Sequence, residues 1–70
     1  MTVYLAEFSD TPERIYETLS VHRTEKGARK AIVDHRNNLK SSLAEYYPNI
    51  EESNWDKWKD WDITEIKLQN

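Results

Sequence analysis

Few residues in this sequence belong to the types that perform catalysis or bind metals. There are two histidines, His22 and His35, and no cysteine. A zinc site would therefore need further ligands from carboxylates such as Glu17 or Asp34, and no HExxH-type spacing supports one. The single glycine allows neither a glycine-framed serine nucleophile nor a phosphate-cradling loop. Thirteen acidic residues leave acid–base catalysis open, but the composition predicts a protein that is not an enzyme and uses no metal or cofactor.

Three tryptophans lie within seven residues and are the least ordinary feature of the sequence. Trp55, Trp58 and Trp61 are spaced by three and alternate with Asp and Lys. Because an indole combines a large apolar surface with one polar N–H, this tryptophan segment (residues 55–61) is a candidate contact surface. The competing interpretation, which we prefer for at least two of the rings, is a lid folded back on the sheet or the helix. We expect Trp55 to stay partly exposed.

Residues 24–47 have the periodicity of a helix, and the other elements must be arranged around it. Thr24 is a suitable N-cap, Glu25 complements the positive end of the helix dipole, and Pro48 disfavours helical geometry at Tyr47. The apolar positions recur at steps of three and four, which places them on one stripe: Ala28, Ala31, Ile32, His35, Leu39, Leu43 and Tyr46.

Three other segments have the pattern of β-strands. Residues 2–8 carry apolar side chains on both faces, which is typical of a central strand. Residues 14–23 alternate as a half-buried strand does, with Leu19 and Val21 pointing inward. In residues 61–68 the alternation changes near Glu65, which predicts either a β-bulge or two covered faces.

The connections predict one α+β domain over residues 1–70. A hairpin, a helix and a third strand give a ββαβ topology, with a three-stranded antiparallel sheet in the order 2-1-3 and one long helix packed on one face. Before the third strand we expect a loop over 48–53 and a short helical turn capped by Ser53. The second face of the sheet, with Tyr4, Phe8 or Tyr16 among its aromatic residues, must be covered by the tryptophan segment, a second copy or a partner.

The run Val21 to Ile32 (VHRTEKGARKAI), which enters a helix from a strand, resembles the strand-to-helix joint of small uncharacterised bacterial and phage ββαβ domains. The likeness covers about residues 3 to 35, and the tryptophan segment departs from it. The resemblance implies the topology and an accessory protein of bacterial or phage-like origin. These domains have no established activity that could be transferred to a residue of this chain.

The charges are unevenly distributed. The net charge of −3 is mild, yet basic residues concentrate between Arg23 and Lys40. We interpret them as a solvated outer surface of the helix. This basic helix face consists of Lys26, Arg29, Lys30, Arg36 and Lys40.

Two functional hypotheses follow. The first is a non-enzymatic protein-interaction module, acting as a homodimer or as an inhibitor or adaptor, that binds through the sheet face, an edge strand or the tryptophan segment. The alternative is single-stranded nucleic-acid binding by the basic helix face and stacked aromatic rings. We favour the first, because the acids beside each tryptophan would repel a phosphate backbone. Candidate partner-binding residues are Tyr4, Phe8, Tyr16, Trp55, Trp58 and Trp61.

The N-terminal residues do not have the pattern of a secretion signal, in which a positive region precedes an apolar core. No apolar run approaches the ~20 residues that span a bilayer. Together with the absence of cysteine, this predicts a cytoplasmic protein without a membrane partner.

Overall fold

The computed structural model describes residues 1–69, apart from the side chain of Glu52. A hairpin of strands β1 (Thr2–Asp10) and β2 (Ile15–His22) is followed by helix α1 (Glu25–Ala44), a 3-10 turn (Ile50–Glu52) and strand β3 (Lys59–Lys67). The sheet order is β2-β1-β3, and both strand pairs are antiparallel. The predicted α+β class and ββαβ topology are confirmed. No helix in the described part of the chain is long and apolar enough to cross a membrane.

Helix α1 begins where the capping pattern predicts and ends earlier than expected. The Thr24 hydroxyl accepts a hydrogen bond from the Gly27 N–H at 3.0 Å, which satisfies one of the free amides of the first turn. At the other end, the N–H groups of Tyr46 and Tyr47 both donate to the Leu43 carbonyl, at 3.0 and 2.9 Å. This tightened turn ends the helix at Ala44. Tyr46 is 78% exposed, so its assignment to the apolar stripe is wrong.

A bulge lies in strand β2 and not in strand β3, for which a bulge was one of two alternatives. Strand β3 pairs with β1 without interruption from Thr2–Lys67 to Asp10–Lys59, so the first alternative for residues 61–68, a bulge near Glu65, does not occur. Ile66 and Leu68 are exposed, so the second alternative, two covered faces, does not hold either. The β1–β2 register shifts instead between Ala6 and Glu7, which leaves Leu19 as an extra residue in β2. A bulge reverses the alternation beyond it.

Because of this bulge, Val21 lies on the sheet face opposite the helix. It pairs with Leu5 and is 59% exposed, so its assignment as an inward residue is wrong. Sequence alternation could not reveal this, since an extra residue in a strand changes the facing of every later side chain without changing the pattern of residue types.

Between the helix and β3 the chain also differs from expectation. The short helical element precedes Ser53 and does not follow it. Ser53 closes that turn, because its hydroxyl and its N–H both donate to the Ile50 carbonyl, at 2.8 and 3.1 Å. Residues 55–58 form a non-helical turn instead.

The core lies between α1 and one face of the sheet. Ala6 and Ala28 are fully buried, and Phe8 and Ile50 are buried. The Phe8 ring lies 4.7 Å from the His35 ring and 5.2 Å from the Trp61 ring. Phe8, and with it Tyr4 by alternation along β1, therefore faces the helix. Their expected position on the face without a helix is wrong, because the small residues Ala6 and Ala28 let the helix approach the even-numbered side of β1.

Candidate functional site

The sheet face opposite helix α1 is a candidate contact surface. Directly paired residues of an antiparallel sheet share a face, so the register defines which side chains belong to it. We call this surface the open sheet face, and its residues are Val3, Leu5, Glu7 and Ser9 of β1, Tyr16, Thr18 and Val21 of β2, and Asp60, Asp62, Thr64 and Ile66 of β3.

One end of the open sheet face is aliphatic. Leu5 pairs with Val21, and Val3 pairs with Ile66. Ile66 is 37% exposed and Val21 more so. Beyond the strands, the N–H of Leu68 donates to the Met1 carbonyl at 2.7 Å, and both side chains are exposed. Neighbouring aliphatic side chains on a surface are typical of a contact site.

The other end of the open sheet face is acidic and is organised by Glu7. Its carboxylate accepts hydrogen bonds from the Tyr16 hydroxyl at 2.8 Å and from the Thr64 hydroxyl, so it joins all three strands. Glu7 is 9% exposed. The hydrogen bond from Thr64, followed by that from Tyr16, lowers the pKa of Glu7. The same contact with Glu7 raises the pKa of Tyr16, and the charges of Glu7 and Asp62 add to this effect.

Two further carboxylates, Asp60 and Asp62, accompany Glu7 at this end. All three border a shallow cavity of about 130 Å³, together with Phe8, Ser9 and Tyr16. Among the residues assigned to the open sheet face there is no Lys or Arg. None of the ion pairs found within residues 1–69 involves Glu7, Asp60 or Asp62. This end therefore carries negative charge that the face itself does not neutralise.

Two of the three tryptophans, Trp55 and Trp61, lie away from the open sheet face. The Trp61 indole N–H donates to His35 Nδ1 at 3.0 Å, on the helix side of the sheet. Trp55 packs edge-on against Trp61, with ring centroids 6.4 Å apart, and Arg36 lies 5.1 Å above the Trp55 ring. Two indoles thus form a lid on the helix side, as the packing interpretation predicts.

Trp58 is the most exposed of the three tryptophans. It is 58% exposed, and the Lys57 ammonium lies 5.0 Å from the centre of its ring. Trp55 is half-buried, so it stays partly exposed as expected, although Trp58 is the more exposed of the two.

The basic helix face is largely paired with local carboxylates. Arg29 lies 2.6 Å from Glu25 and Lys30 lies 3.5 Å from Asp34, both one helical turn apart. Two longer connections join the helix to the segment before β3: Arg36 to Asp56 at 2.9 Å and Lys40 to Glu51 at 2.5 Å. The bond from Arg36 also lowers the pKa of Asp56. Lys26 is the member of this face without such a pair in the described residues.

A second cavity, of about 330 Å³, lies between the end of α1 and the turn before β3. Its apolar lining includes Leu43, Ile50 and Trp55. The charged group beside it, Lys59, is already bound to Asp10 at 3.3 Å and to the Trp55 carbonyl at 3.2 Å. Within the described residues, no group of three or more His, Cys, Asp or Glu is placed to hold a metal ion.

Sequence reasoning placed Tyr16 on the correct face but missed the other residues of the site. Asp62, Thr64 and Ile66 already alternate within the predicted strand (residues 61–68), and starting that strand at Lys59 would have added Asp60 to the same face. Glu7 could not be identified from the sequence, because its role depends on hydrogen bonds from Tyr16 and Thr64 that only the pairing of the three strands brings within reach.

Comparisons with family models, with curated proteins and with solved structures gave no significant match. The resemblance to small bacterial and phage ββαβ domains therefore stays a prediction.

Proposed function

We propose that this chain is a small non-enzymatic protein-interaction module and that its open sheet face contacts the partner. The observation that carries the proposal is the position of Val21 and Ile66, exposed beside Val3 and Leu5 on a face that neither the helix nor the tryptophan lid covers. Burial of apolar surface contributes about 25 cal/mol per Å², so a partner that covers these side chains gains affinity from them.

The small core is a second reason to expect a partner. Among the described residues, no large side chain is completely buried, and a domain of this size has a small margin of stability. A partner that binds the folded chain also stabilises it by mass action. This behaviour suits an inhibitor or adaptor in the cytoplasm, of the accessory kind implied by the resemblance.

Single-stranded nucleic-acid binding is the weaker hypothesis. Four of the five cations on the basic helix face already lie within 3.5 Å of a carboxylate. Nucleic-acid binding gains strength when cations of the protein displace the counterions condensed around the phosphates, and a cation paired within the protein must first give up that pair. Phe8 and Trp61 are packed against His35, so their rings are not available for stacking on bases.

The test is affinity capture from a lysate of the native cell with three forms of the protein. The double variant Val21→Thr, Ile66→Thr keeps β-branched side chains and removes apolar surface from the open sheet face. Val33→Thr is the matched control, because Val33 is 50% exposed on the helix. We expect the wild type and the control to capture the same protein and the double variant to lose it. Equal capture by all three forms would contradict the proposal.

A further inference from the structure

The open sheet face has two chemically different ends, and its occupant must match both. The aliphatic end contains Val3, Leu5, Val21 and Ile66, and the acidic end contains Glu7, Asp60 and Asp62. An occupant that is apolar throughout would bury the three carboxylates without a cation to pair with them, which is costly even where a carboxylate accepts hydrogen bonds, as Glu7 does. The occupant therefore needs cationic groups at one end.

A second copy of this chain does not meet that requirement. Closed homodimers are related by a two-fold axis. If the axis lies in the contact plane along the strands, the acidic end of one copy meets the acidic end of the other. If it runs across the strands, the acidic end of each copy meets the aliphatic end of the other, which supplies no cation. A dimer shifted so that only the aliphatic ends touch would leave half of the face uncovered.

Anionic occupants fail for the same reason. A nucleic-acid backbone or an anionic membrane surface would bring negative charge to Glu7, Asp60 and Asp62, and like charges across an interface cost several kcal/mol. A protein segment that is apolar at one end and cationic at the other satisfies both ends of the face.

The dimensions favour a helix. From Val3 to Ser9 the central strand rises about 20 Å, and a helix of about 14 residues has the same length. A helix laid on a sheet is also the usual way to complete a layer, and α1 already covers the other side in this manner. An added edge strand would leave the face itself uncovered.

We propose that the open sheet face binds an amphipathic helix of another protein, with aliphatic residues over Val3, Leu5, Val21 and Ile66 and with Lys or Arg side chains over Glu7, Asp60 and Asp62. This inference rests on the proposed function and names the chemistry of the partner. The Tyr16 and Thr64 hydroxyls hold the Glu7 carboxylate in place, so its charge is already oriented before the cation arrives, which reduces the cost of ordering on binding.

The probe is a synthetic amphipathic peptide of about 14 residues, with a leucine stripe and lysines at one end, labelled for fluorescence anisotropy. A second peptide replaces each lysine by glutamate. We expect the lysine peptide to bind and the glutamate peptide to bind at least tenfold more weakly. Affinity for the lysine peptide should fall as salt is raised, because surface charge pairs are screened.

Two double variants with the same change of net charge distinguish binding at the open sheet face from nonspecific electrostatic attraction. Asp60→Asn, Asp62→Asn removes two charges from the open sheet face, and Glu25→Gln, Asp34→Gln removes two from the helix, so both change the net charge of −3 equally. Asn at position 62 keeps the oxygen that accepts from the Ile63 N–H at 2.8 Å. We expect at least a tenfold loss for the first variant and less than a twofold change for the second.

Equal losses in both variants, or equal binding of both peptides, would overturn this inference. It would also be overturned if sedimentation showed a dimer of the wild type that Val21→Thr, Ile66→Thr dissociates, or if an oligonucleotide competed for the face. If the lysine peptide fails while the captured partner still depends on Val21 and Ile66, the proposed function stands and only the partner's chemistry is wrong.

Discussion

The Tyr16 hydroxyl donates a hydrogen bond to Glu7 Oε2 at 2.8 Å and so ties strand β2 to β1 on the open sheet face. Thr64 donates to the other oxygen of the same carboxylate from β3. One ionised side chain thus accepts bonds from both neighbouring strands. The acidic end of the face is therefore a fixed part of the sheet, and we expect its charge to contribute both to stability and to the proposed interaction.

Stability should depend on pH through Glu7. The hydrogen bonds from Thr64 and Tyr16 lower the pKa of Glu7 in the folded chain, so its contribution is fully present above the ordinary glutamate pKa of about 4.3. It is lost as the pH falls from there through the lower pKa of the folded state. Denaturant unfolding at a series of pH values should show Glu7→Gln to be less stable than the wild type at neutral pH and less sensitive to acid.

Glu13→Gln is the control for that series, because Glu13 is exposed in the hairpin turn. It should retain the acid sensitivity of the wild type. Identical pH profiles for Glu7→Gln and the wild type would show that the carboxylate contributes nothing.

Removal of the Phe8 ring should unfold much of the protein. Phe8 is buried between His35 and Trp61, and Phe→Ala substitutions in a core cost about 3–5 kcal/mol. That range is comparable to the whole stability of a small domain, about 0.05–0.15 kcal/mol per residue. Urea unfolding followed by circular dichroism measures the loss. A Phe8→Ala protein within about 1 kcal/mol of the wild type, a typical surface effect, would place the core elsewhere.

Two tryptophans offer a matched pair of substitutions. Trp61→Phe removes the indole that donates to His35 and should cost roughly 1–3 kcal/mol, from the lost hydrogen bond and the smaller ring. Trp58→Phe should change the free energy of unfolding little, because Trp58 is mostly exposed. Thermal melts of the two variants measure these losses of stability. A larger loss for Trp58→Phe than for Trp61→Phe would contradict the assignment of Trp61 to the lid.

The helix cap can be tested with two substitutions at one position. Thr24→Ala removes the hydroxyl that accepts from the Gly27 N–H and should cost about 1 kcal/mol. Thr24→Ser keeps the hydroxyl and should recover most of that loss. If the two variants are equally destabilised, the cap does not contribute through this bond.

The topology could be predicted from the sequence because each element carried its own local signal. The period of α1 and the cap at Thr24 locate the helix, Pro48 limits how far it can extend, and the connection rules then leave few arrangements of three strands. The facing of side chains could not be predicted in the same way. The extra residue at Leu19 is set by the pairing of β2 with β1, which depends on contacts between strands and not on either strand alone.

The candidate site depended on that facing, and so most of it was missed. Phe8 was a candidate contact residue because β1 is apolar on both sides. In the structure Phe8 is buried on the helix side, and Val3 and Leu5 lie on the open sheet face. Asp60 was placed among the tryptophans, and Asp62 at the start of the third predicted strand (residues 61–68), whereas both belong to β3 and lie on the open sheet face. Only the register brings them beside Glu7.

The most direct test of the account is methyl NMR on the protein with its captured partner. The methyl groups of Val3, Leu5, Val21 and Ile66 report on the open sheet face, and those of Val33 and Leu43 report on the helix. We expect addition of the partner to shift the first set of methyl signals and to leave the second set unchanged. Shifts confined to the helix methyls would contradict it.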